Sequence, residues 1–158
     1  MSSLLSLVEW CSSSAPVVLV RDSKYGMPGV QSVHLVGITV FLASMLLLNL
    51  RLAGFGMTDW SVSWLARQLR PWARSAITLI VLSGLLIFLG TPGKYLGSNP
   101  FRIKMAMLCL AILFHVGVLR RFVRSESGSR GVNILVAGVS LTLWFSVGWA
   151  GRAIAFVP

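Results

Sequence analysis

Two histidines, His34 and His115, are the residues in this chain best suited to chemistry, because each stands inside a run of apolar residues. A polar ring held in lipid is costly and turns toward the bundle interior, where it ligates a metal or hydrogen-bonds a neighbouring helix. Both uses stay open for each imidazole, and two of them in one small chain give the ligand reading more weight. A single haem iron clamped between the pair is not expected. His34 follows Pro28 by six residues and His115 follows Pro100 by fifteen. If both prolines open helices from the same side, the difference is roughly 13 Å of depth at about 1.5 Å per residue. One histidine then binds while the other supports it, or each serves a site of its own.

Cations collect near the outer end of the same helices. Arg102 and Lys104 follow Pro100, and Arg152 stands six residues before Pro158, near the depth of His34. A histidine with three cations around it suits an anionic cofactor, and haem b with its propionates is a good match. Snorkelling of the same cations to lipid phosphate is the equal alternative. Lys104 and His115 are eleven residues apart and fall on one helix face. The cofactor-binding candidates are therefore His34, His115, Arg102, Lys104 and Arg152, with His34 and His115 as metal ligands and no residue given a catalytic role.

Other chemistry is thinly supplied. Met105 and Met107 face different ways on a helix and support a copper relay only weakly. Cys11 and Cys109 have no CxxC spacing and read as two unpaired, small apolar residues. No phosphate-binding loop, zincin helix or nucleophile elbow is present. The chain has four acidic residues and none lies within an expected span, which leaves little for carboxylate-driven transport.

The elements that must position these residues are membrane helices. Of 158 residues, 56% are hydrophobic and 11% charged, against about a quarter charged in an ordinary soluble domain. A spanning helix needs about 20 mostly apolar residues. Charge is absent from residues 25–50, 75–93, 105–119 and 131–151. These runs predict spans at about 28–50, 73–91, 100–120 and 131–155, and their length and lack of alternation exclude barrel strands. Residues 2–14 and 58–70 read as short interfacial helices, the second capped by Thr58, rich in Trp and ended by Pro71. The expected architecture is an all-α, single-domain, integral membrane four-helix bundle over residues 1–158.

Fourteen Lys and Arg give a net charge of +10, yet they cluster between apolar runs. They read as membrane-edge anchors attracted to anionic lipid, and not as a nucleic-acid surface. Arg51, Arg67, Arg70, Arg74, Arg120, Arg121, Arg124 and Arg130 fall in the two loops on one side; Arg21, Lys24, Lys94, Arg102, Lys104 and Arg152 fall on the other. Eight against six, with the eight in short loops, places those loops in the cytoplasm and both termini in the periplasm. No basic residue precedes the first apolar stretch and Glu9 interrupts it, so the first span is expected to act as an uncleaved insertion signal.

The stretches SVHLVGITVFLASMLLLNLRLAG, Pro71–Trp72, NPFRIKM from Asn99 and AGRAIAF from Ala150 together resemble an uncharacterised bacterial family of four-helix membrane proteins. His34 with Arg51-Leu52 at the far end of the first span, and Lys104, His115 and Arg120 in the third, are similar to the HemJ-type protoporphyrinogen oxidases and their copper-resistance CopD relatives. Leu50 stands where that pattern has proline. The resemblance implies b-type haem at His34 or His115, with Lys104 in support. The leading expectation is thus a haem protein of the bacterial inner membrane that exchanges electrons with a membrane or periplasmic redox partner. A non-catalytic membrane subunit and a CopD-like copper or small-molecule permease remain alternatives. Membrane lipids, a homo-oligomer and no nucleic acid complete the expected partners, and enzymatic activity is left open.

Overall fold

The computed structural model describes residues 2–125 and 128–154, with side chains from residue 6 onward. The described residues are helical throughout, joined by turns, with no strand. Helix α1 covers Ser2–Ser12 and α2 covers Ala15–Asp22, with Pro16 in its first turn, where its missing N–H is harmless. Helix α3 is Gly26–Leu52, α4 is Val62–Gly90 and α5 is the short Pro92–Leu96. Helix α6, Asn99–Phe114, passes through a π-helical turn at His115–Leu119 into α7, Arg120–Ser125. Helix α8 is Arg130–Ala153. Four of these, counting α6 to α7 as one, are long and apolar enough to cross a membrane. The expected end of the fourth span, residue 155, and the end of the AGRAIAF stretch lie outside the described residues.

The sequence reading and the structure differ in four places. It ended a separate helix 58–70 at Pro71, whereas α4 runs unbroken from Val62 with Pro71 inside it. Proline removes one N–H and strands the carbonyl four residues back; that carbonyl belongs to Arg67, an exposed residue, so water or headgroups can satisfy it. Thr58 does not cap the helix. Ser61 does, its Oγ accepting the N–H of Trp64 at 3.1 Å, while the carbonyls of Thr58 and Trp60 accept from Arg51. Helices α2 and α5 had no counterpart in the reading. Nor did the π turn, where Arg120 N–H bonds to His115 C=O, one residue further than an α-helix allows.

The end of α3 shows why the chain turns where it does. Gly54 has φ +82°, the left-handed conformation that glycine adopts without penalty. Its N–H bonds to Arg51 C=O at 3.1 Å and the Phe55 N–H bonds to Leu50 C=O at 2.8 Å. This is a Schellman closure of the helix. Arg51 then ties down the following loop, and Trp60 stacks on Trp64 at 4.1 Å between centroids.

By its internal contacts the chain forms two compact units, residues 1–39 with 75–98 and residues 40–74 with 99–158. In the first, α3 and α4 run antiparallel. Ala76 and Ile80 face Gly37, where an added Cβ would stand 3.0 Å from Ile80 Cγ1 and 3.3 Å from the Ala76 carbonyl. Gly90 likewise receives the Met27 side chain. Small residues let the backbones approach, as membrane helices without a hydrophobic driving force require. In the second unit α6 lies against α8. Its buried residues include Met45, Leu48, Leu52, Val62, Leu65, Leu119, Val123, Val136 and Ala137.

Replacing Gly37 by Leu should destabilise the fold by about 1–3 kcal/mol through overpacking. The same change at Gly138, where an added Cβ meets nothing within 4 Å, should leave stability unchanged. Thermal unfolding of the two variants in micelles checks the contrast; equal melting would contradict the close contact at Gly37.

Candidate functional site

His34 sits on the α3 face that meets α4, and its ring is held by two neighbouring α4 residues. His34 Nδ1 lies 2.9 Å from Ser83 Oγ. The carbon between its ring nitrogens lies against Gly84, where a Cβ would come within 3.1 Å. Ser83 is 3% exposed, and its hydroxyl also bonds to the Leu79 carbonyl. A carbonyl can only accept, so the Ser83 proton goes to Leu79 and Ser83 Oγ must accept from His34. That selects the tautomer with the proton on Nδ1 and the lone pair on Nε2. Metal-ligating histidines are oriented in the same way, with the non-ligating N–H donated to an oxygen.

Beside this relay is an apolar groove of about 480 Å³, lined by residues including Tyr25, Gly29, Val33, Leu82, Ser83 and Leu86. At Gly29 an added Cβ would meet nothing within 4 Å. Lys24 stands next to Tyr25, with its ammonium 5.5 Å from that ring's centroid. The sequence reading counted Lys24 only as an orientation signal. The 49-residue separation of His34 and Ser83 hides their pairing from any local pattern.

The other four candidates belong to the second unit. Lys104 on α6 reaches α8, with Nζ and Cε each 3.5 Å from where a Cβ on Gly151 would stand. Arg152, the next residue, and Arg102 are both exposed. His115 meets the edge of Trp144 at 6.3 Å between centroids and 75° between planes. Trp144, on α8, also contacts Phe41 of α3 at 4.6 Å, so its indole lies between α3 and the π turn. His115 Nδ1 is buried without a hydrogen-bond partner. Lys104 and His115 thus both turn toward α8, as their spacing predicts, but His34 is placed in the other unit. Among the described residues no three His, Cys, Asp or Glu side chains gather as a metal site.

The chain matches, over residues 9–157, the sequence profile of a family of unknown function, DUF6644. It belongs to that family. No curated protein and no solved structure matches this DUF6644 chain.

The two histidines of this DUF6644 protein should respond differently to removal. An unsatisfied buried polar atom costs about 1–3 kcal/mol, so His115→Leu should match or exceed the wild type in stability. Ser83→Ala breaks a made hydrogen bond and should lower stability by about 1 kcal/mol. Melting curves in one detergent check both; a large loss for His115→Leu would mean that its ring has a bonding role.

Proposed function

We propose that this protein would hold a b-type haem in the bacterial inner membrane through the imidazole of His34, and would pass electrons to a membrane or periplasmic redox partner. The observation that carries this reading is the Leu79–Ser83–His34 arrangement, which orients an imidazole beside an apolar groove. A metal inside a macrocycle needs few ligands from the protein, so a single oriented histidine is compatible with haem. The apolar groove beside Ser83 suits a flat ring, and Lys24 at Tyr25 supplies a cation for a propionate. Arg102, Lys104 and Arg152, offered for that task by the sequence, belong to the second unit, where Lys104 is best placed for an anion next to Gly151. The orientation in the proposal keeps both termini in the periplasm, on the strength of the eight loop arginines.

An absorption spectrum of the purified protein, with and without dithionite, tests the reading. A Soret band is expected that sharpens on reduction, is abolished in His34→Ala and persists in His115→Ala. Loss of an orienting partner weakens a metal site by about 10–100-fold, so Ser83→Ala should retain haem with an affinity lowered by that order, read by titrating haem into the apoprotein. A full band in His34→Ala would overturn the proposal. A colourless protein that co-purifies with another membrane chain would favour the anchor reading in its place.

A further inference from the structure

The π turn after α6 sets up a second feature that the haem reading does not use. Because Arg120 donates to the His115 carbonyl five residues back, every residue beyond the turn is rotated by one position from an uninterrupted helix. Leu119, the last residue of the turn, and Val123 are buried, at 0% and 8% exposure, while Arg120, Arg121 and Arg124 stay exposed. The three arginines line a groove of about 400 Å³ with Val116 and Ser125. Among the described residues no carboxylate pairs with any of them. Just before the groove, on the same spanning helix, Leu113 is 70% exposed and Val116 55%.

We infer that this groove binds an anionic phospholipid, its phosphate held by Arg120, Arg121 and Arg124 and its acyl chain lying along Val116 and Leu113. Three guanidinium groups at the end of a spanning helix stand at headgroup depth, and their planar forks match phosphate oxygens. Ser125 adds a hydroxyl that can donate to the same phosphate. The apolar side chains continue from the groove toward the hydrocarbon, so charge and grease lie in the order of a lipid molecule. A free anion would use only the upper half of this surface, and a soluble acidic protein would leave its lower half bare.

The test uses the full chain in nanodiscs of phosphatidylcholine doped with phosphatidylglycerol, with bound lipid counted by native mass spectrometry. The wild type is expected to retain phosphatidylglycerol in preference to phosphatidylcholine. Each arginine contributes about a fivefold preference near a membrane surface, so the triple variant Arg120→Gln/Arg121→Gln/Arg124→Gln should lose roughly 100-fold. The control Arg67→Gln/Arg70→Gln, exposed arginines that do not line the groove, should lose much less of the preference than the triple variant. Should the triple variant fail to reconstitute, the three single variants replace it, each with roughly a fivefold loss. Excess inorganic phosphate should not displace the lipid. Undiminished preference in the variants, an equal loss in the control, or displacement by phosphate would each overturn the assignment. Absorption of haem plays no part in the readout, so failure here and failure of the haem reading are separable.

Discussion

Lipid offers no hydrogen bonds, and most of this structure follows from that. Each peptide group in the hydrocarbon must find its partner within its own helix, which is why the long apolar runs can be nothing else. The hydroxyls obey the same constraint. Ser32, Thr39, Ser44, Thr142 and Ser146 each fold back onto the carbonyl four residues earlier, at 2.7–2.9 Å. A polar side chain in this setting satisfies itself locally and leaves nothing over for a neighbour.

Ser83 departs from that pattern in a useful way. It bonds back to Leu79 like the others, but its oxygen is also within reach of an imidazole on another helix. A local bond that would otherwise be self-contained becomes the element that orients His34. Gly84 and Gly37 make this possible, since each removes the side chain that would hold the helices apart. The second unit leaves more unsettled: Asn49 Oδ1, Asn133 Oδ1, Ser140 Oγ and His115 Nδ1 are buried without partners. Four such atoms in one unit run against the general rule that buried polar groups are paired, and His115 also opens the π turn, a distortion that recurs at functional positions.

The basic residues divide by surroundings. Lys104 is drawn against α8, and Arg51 braces its own loop through two carbonyls. Arg120, Arg121 and Arg124 remain exposed at a helix end. The same residue type thus anchors, braces or presents charge according to what the neighbouring backbone offers, and a net charge of +10 carries no single meaning.

Composition and run length alone determined the all-helical class and the four long apolar helices, because the need for about 20 apolar residues per crossing is read directly from the order of residues. The shared face of Lys104 and His115 was legible for a similar reason, helical periodicity being a local property. Helix continuity through Pro71, the Ser61 cap and the π turn were not, since each rests on choices among near-equal backbone bonds that residue type does not settle. Only the tertiary structure decided that His34 pairs with Ser83 and that His115 meets Trp144. Those contacts join residues far apart in the chain, and nothing in either local segment names its partner.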